Sequence, residues 1–119
     1  MKSLIKSFAF AWAGLKNCFV SETNFRIHIL AAVAVSIGGF LFKISLTESI
    51  AVGFCIAFVI TMEMMNTAIE KLCDVVHKGP HPGIKKVKDI AAGAVLVSAF
   101  FSLVTAAIIF LPKIFMYLK

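Results

Sequence analysis

The chain has 119 residues, of which 61% are hydrophobic and only 15% charged, with a formal charge of +6. An ordinary soluble domain is about half apolar and about a quarter charged, so a chain this apolar has a bilayer rather than water as its natural solvent. Twelve Phe against one Tyr and one Trp, the Phe lying in apolar runs, exclude a base-stacking nucleic-acid surface, and the positive charge reads as topology and phospholipid attraction.

Lys2 followed by an apolar stretch looks at first like a secretory leader, but Lys6 and Lys16 interrupt it and leave no uninterrupted apolar core, so no cleavage is expected. On a helical wheel over residues 3–20, Leu4, Ile5, Phe8, Trp12, Leu15 and Phe19 share one side. Lys2, Lys6 and Lys16 flank the stripe, which predicts an amphipathic helix lying in the membrane interface. Residues 21–26 form a polar break in which Ser21 is expected to cap the next helix.

A first membrane span is expected at about 27–46 and a second at about 49–69, each near the roughly 20 residues that cross a hydrocarbon core. Residues 75–87 contain two prolines and two glycines and are expected to interrupt the helix. Residues 90–111 carry no charge and form the clearest span. The result is one all-α integral membrane domain over residues 1–119, with a surface helix and three transmembrane helices. Four Lys or Arg lie in the segment through Arg26, five between Lys71 and Lys88, and three elsewhere, so the N-terminus and the 71–88 segment are expected in the cytoplasm.

Glu63, Asn66, Glu70 and Asp74 are spaced three, four and four, a stripe about 80° wide on a helix. Met65, Ile69, Leu72 and Val76 take the opposite side. Each ionisable group inside a membrane costs several kcal/mol unless hydrated or paired, and acids stacked at i,i+4 repel. A cation is therefore expected among them: a metal ion, Lys88 or Arg26. Glu22, Lys88 and Asp89 are placed by the topology at the same face. Carboxylates suit Mg²⁺, a lysine can neutralise phosphate, and a deeper glutamate can take a proton from a lipid hydroxyl, which together are the parts of phosphoryl transfer.

Blander readings exist for each residue alone. Glu63 could be half of an interhelical hydrogen bond, and Glu22 and Asp89 could be ordinary helix N-terminal charges. His77 and His81 are four apart, but Pro80 and Pro82 deny them the helical two-ligand spacing. Cys18, Cys55 and Cys73 are far apart and support neither a zinc site nor a disulfide framework.

The run from Glu63 through Asn66 and Glu70 to Asp74 resembles the signature of the prokaryotic diacylglycerol kinase family, which includes undecaprenol kinase. Glu22 with Asn24-Phe25-Arg26, the segment Phe8 to Leu15, and Lys88-Asp89-Ile-Ala-Ala-Gly match that pattern as well. The resemblance covers nearly the whole chain. It implies a homotrimer with active sites shared between subunits, Mg²⁺ as cofactor and ATP as co-substrate. It casts Glu63 as catalytic base, Glu22 and Glu70 as Mg²⁺ ligands that also hold ATP, and Asn66, Lys88, Asp89, Gly79 and His81 as further ATP contacts. Phe8, Trp12, Asn24, Arg26 and His28 would border the lipid. Enterobacterial members carry an acid where this chain has His28, and the Phe25-Arg26-Ile27-His28 run and the His81-Pro82 turn are more similar to undecaprenol kinases.

The expected function is ATP-dependent phosphorylation of a membrane lipid alcohol, undecaprenol ahead of diacylglycerol, at the cytoplasmic face of the cell inner membrane. The rival is a small structural or pore-forming membrane subunit. A pore predicts acids spread through the bilayer, whereas here they gather at one end.

Overall fold

A computed structural model describes residues 2–118 as four helices: α1 (Lys2–Ser21), α2 (Thr23–Leu41), α3 (Leu46–Val76) and α4 (Pro82–Leu118). The last three are each long and apolar enough to cross a membrane. At 1.5 Å per residue, about 20 residues from Leu46 exhaust a hydrocarbon core of about 30 Å near Met65. On that count the last turns of α3, with Glu70 and Asp74, exceed what one crossing needs.

The first span is shorter than its apolar run. α2 ends at Leu41 because Phe42, Lys43 and Ile44 fold back on it: Lys43 N–H donates to Phe40 O and Ile44 N–H to Gly39 O. This is a Schellman closure, with Lys43 in the left-handed position usually given to glycine (φ 54°). Ile44 packs onto Gly39, where an added Cβ would come within 2.9 Å of the Ile44 Cδ1. Ile44 to Leu46 therefore do not extend the first span. Instead Ser45 begins α3 with a capping box, its Oγ accepting from Glu48 N–H while Glu48 Oε1 accepts from Ser45 N–H. Ser45→Ala is expected to lower stability by about 1 kcal/mol, read as an earlier denaturation midpoint in mixed micelles with catalysis unaffected.

Two further expectations are corrected. Ser21 does not cap α2: it is the last residue of α1, and its hydroxyl donates to Asn17 O at 2.7 Å. Glu22 holds the N-cap position without a side-chain cap bond. The break after α3 is also shorter than the prolines suggested, because α4 already begins at Pro82. Proline at a first helical position loses no hydrogen bond. His81 Nδ1 accepts from Gly83 N–H at 3.1 Å and Ile84 N–H at 3.3 Å, supplying the cap. Lys85, Lys86 and Val87 are thus helical, and Gly79, at φ +99°, makes the turn.

α3 and α4 pack antiparallel along small residues. Ala91 and Ser98 of α4 are buried, and Ser102 Oγ reaches Cys55 O at 3.5 Å. At the far end, Lys113 Nζ pairs with Glu48 Oε2 at 2.8 Å, and Phe42 of the α2–α3 turn meets the Phe110 and Tyr117 rings edge-on. The molecule measures 57 × 43 × 21 Å. Its thin dimension is about two helix diameters, so most of the apolar surface of each span faces outward.

Candidate functional site

The α3 stripe grades from core to solvent. Glu63 is 3% exposed and Asn66 buried, Glu70 is half-buried, and the Asp74 side chain is 68% exposed. Periodicity sets this order: each step of three or four residues keeps one face while climbing out of the packed region. Met65, Leu72 and Val76 on the opposite face are exposed. Asn66 Nδ2 donates to Glu70 Oε1 at 3.1 Å, tying the amide to the acid one turn on. Asn66 Oδ1 and the neighbouring Thr67 hydroxyl oxygen are buried without a partner. Such atoms are costly to leave unmet.

The acids are not left to repel one another. Lys88 Nζ lies 2.8 Å from Asp74 Oδ1, joining α4 to the end of α3, and Lys85 Nζ lies 2.7 Å from Asp89 Oδ2. Of the two basic side chains expected among the carboxylates, only Lys88 is there. Arg26 is spent elsewhere: Nη1 donates to Phe19 O (2.7 Å) and Val20 O (3.0 Å), and Nη2 to Thr23 Oγ1 (3.2 Å). A cation on the last carbonyls of a helix is favourable, and here it fixes the elbow between α1 and α2. The resemblance casts Arg26 as a lipid contact, and its guanidinium bonds two α1 carbonyls and the Thr23 hydroxyl.

That elbow brings Glu22 toward α3, and the carboxylates of Glu22 and Glu70 both act on Glu63. Cys18, buried on α1, reports the same junction: burial raises its thiol above the ordinary value, Glu22 and Glu63 add to the effect, and Lys71 opposes it. Among the described residues, no three His, Cys, Asp or Glu converge closely enough to form a metal cage.

His28 of α2 lies with Nε2 3.7 Å from Glu63 Oε2. It also lines an apolar groove of about 250 Å³ between α2 and α4, floored by α3 residues that include Val59 and Ile60, one turn before Glu63. The sequence placed His28 at the lipid border but gave no sign of this pairing. Phe8 and Trp12 of α1 are exposed, as is Asn24 at the start of α2. His81, expected to touch nucleotide, has its Nδ1 occupied as the α4 cap, and its ring stacks edge-on with His77 at 5.0 Å between centroids. Gly79 shares the exposed turn with it.

Comparison with known proteins places these features in company. The profile of the family described as prokaryotic diacylglycerol kinase matches residues 9–110. The undecaprenol kinase of Bacillus subtilis is 40% identical over 114 residues, 96% of this chain and 93% of that protein. A Synechocystis diacylglycerol kinase is 34% identical over 113 residues, 94% of this chain and 65% of that one. The diacylglycerol kinase of Escherichia coli K12 is 27% identical over 107 residues, covering 89% and 87%.

Proposed function

The chain belongs to the prokaryotic diacylglycerol kinase family and is a lipid kinase, and from that premise we propose that it transfers the γ-phosphoryl group of ATP to undecaprenol at the cytoplasmic face of the inner membrane. One observation carries the reading: Glu63, a carboxylate 3% exposed, lies one turn beyond Val59 of an apolar groove and at the buried end of a stripe of acids that grows more exposed along α3. A lipid chain lying in the groove would bring its terminal hydroxyl to Glu63, and nucleotide would approach from the solvent end.

In this reading Glu63 accepts the hydroxyl proton as the lipid oxygen bonds to phosphorus and the bond to the ADP oxygen breaks. Glu22 and Glu70 would hold Mg²⁺. Their chemistry fits: both are hard oxygen donors, the Glu22 side chain makes no cap bond, and Glu70 has one carboxylate oxygen on Asn66. Mg²⁺ takes one or two protein carboxylates and fills its shell with phosphate oxygens and water. When bound, it offsets the phosphate charge. Asn66 keeps Glu70 oriented, and Asp74 keeps Lys88 at the same face. Lys88, Asp89 and the Gly79–His81 turn would border the nucleotide.

Phe8 and Trp12 of α1, lying on the headgroups, would border the lipid with Asn24. The orientation follows from the nine Lys and Arg on the side of the α1–α2 elbow and the α3–α4 turn against three on the other. Three copies would complete the site, because a slab 21 Å thick cannot by itself enclose a nucleotide and a lipid headgroup.

Undecaprenol is favoured over diacylglycerol because the exposed Phe8, Phe10 and Ile27 offer no donor to two ester carbonyls and Trp12 only its indole N–H, and because the 40% identical relative is an undecaprenol kinase. A competition assay tests this: purified protein, labelled ATP and both lipids in one mixed micelle. Undecaprenyl phosphate is the expected main product. Preferential labelling of diacylglycerol overturns the substrate, and labelling of neither overturns ATP-dependent transfer to these lipids.

A further inference from the structure

We infer that His28 is a positioning residue for the base: it sets a positive charge beside the Glu63 carboxylate, next to the apolar groove that His28 itself lines. The inference rests on the lipid-kinase reading and adds to it a residue that acts through Glu63 rather than on the lipid.

Glu63 is nearly sealed from water, and among the described residues its carboxylate accepts no hydrogen bond, so its charge needs a cation. The surrounding titratable groups are of the wrong kind. Glu22 at the elbow and Glu70 on α3 are acids, and Cys18 on α1 is a thiol. The nearby cations are committed or act elsewhere. Lys88 of α4 is 2.8 Å from Asp74, Arg26 is on the α1 carbonyls, and Lys71 is exposed and acts on Cys18. His28 alone, among the described residues, brings a basic nitrogen within 4 Å of Glu63.

The 3.7 Å separation is too long for a hydrogen bond and close enough for a strong Coulomb contact. The effect is therefore one of charge. The His28 side chain is 23% exposed against 4% for Glu63, so solvent reaches the histidine while the acid beside it is shielded. Its own proton stays put during turnover. The lipid hydroxyl proton goes to Glu63 and then to water as the phosphate ester forms and ADP departs.

The test compares wild type, His28→Lys, His28→Gln and His28→Ala in undecaprenol mixed micelles from about pH 6 to about pH 9, with nucleotide binding measured alongside. The Gln and Ala proteins are expected to lose about 10- to 100-fold in kcat near neutral pH, the scale on which one neighbouring charge changes the ionised fraction of a carboxyl. Their KM for ATP stays close to wild type, and the change in lipid KM is smaller than the loss in kcat. The deficit narrows as pH rises, because an alkaline solution ionises the carboxyl without help. His28→Lys restores most of kcat across the range, because lysine keeps a cation beside the acid.

A residue that merely lines the groove gives the opposite pattern: raised lipid KM with kcat intact, and rescue by Gln rather than Lys. That result overturns the inference, as does loss of nucleotide binding in all three variants. Those results leave the kinase reading standing provided the wild-type protein phosphorylates lipid. A wild type that transfers nothing from ATP to either lipid removes both.

Discussion

A Glu63→Gln protein binds ATP with near-normal affinity and phosphorylates lipid about 10²–10⁴-fold more slowly, the usual worth of a general base. The amide matches the carboxylate in size, so the packing around a side chain that is 3% exposed is retained. It also removes a buried charge, and with it the repulsion from Glu22 and Glu70 and the attraction to His28. The variant should therefore be at least as stable as wild type, which separates loss of chemistry from loss of fold. Labelled-ATP turnover in mixed micelles and equilibrium nucleotide binding are the two measurements. Near-normal turnover removes Glu63 from the mechanism, and joint loss of binding and turnover makes it a structural residue.

The stripe that makes Glu63 conspicuous was readable because helical periodicity is a local property. Glu63, Asn66, Glu70 and Asp74 need only one regular helix to line up, and the Asn66–Glu70 hydrogen bond follows at i,i+4. The spans were readable for a similar reason, since hydropathy is summed over a window. Their ends were not, because an end is decided by a few specific bonds. Residues 45–48 read Ser-Leu-Thr-Glu, a capping-box signature, so the true start of α3 was present in the sequence under an apolar run that continued through it. Lys43 gave no such sign, because a left-handed lysine looks like any other lysine.

Contacts between helices were the least legible. The approach of His28 to Glu63 and the Glu48–Lys113 pair each join residues far apart in sequence, and nothing in the local pattern of either partner points to the other. Arg26 shows the converse. The acid stripe of α3 suggested it as a nearby cation, while its place seven residues after Phe19 lets it close the end of the preceding helix.

Glu70→Ala and Glu22→Ala each weaken Mg²⁺-dependent ATP binding by at least about tenfold, losses of metal affinity of that order following even from the removal of supporting ligands, while the KM for lipid changes little. The two acids come from different elements, one from the α1–α2 elbow and one from α3, yet both act on Glu63. If they hold one ion, removing either already costs most of what that ion contributes. The double variant should then bind little worse than the weaker single, a departure from additivity that separate sites would not give. Glu70 has an added consequence: its loss leaves the Asn66 amide without the only hydrogen-bond partner it has among the described residues. Glu70→Gln controls for this by returning a side chain that can still accept from Asn66, so it should recover stability without recovering the metal dependence. The decisive measurement is nucleotide affinity titrated against Mg²⁺ for both single variants, the double variant and wild type. Strictly additive losses, or losses unchanged when Mg²⁺ is withdrawn, would mean that the two carboxylates share no ion.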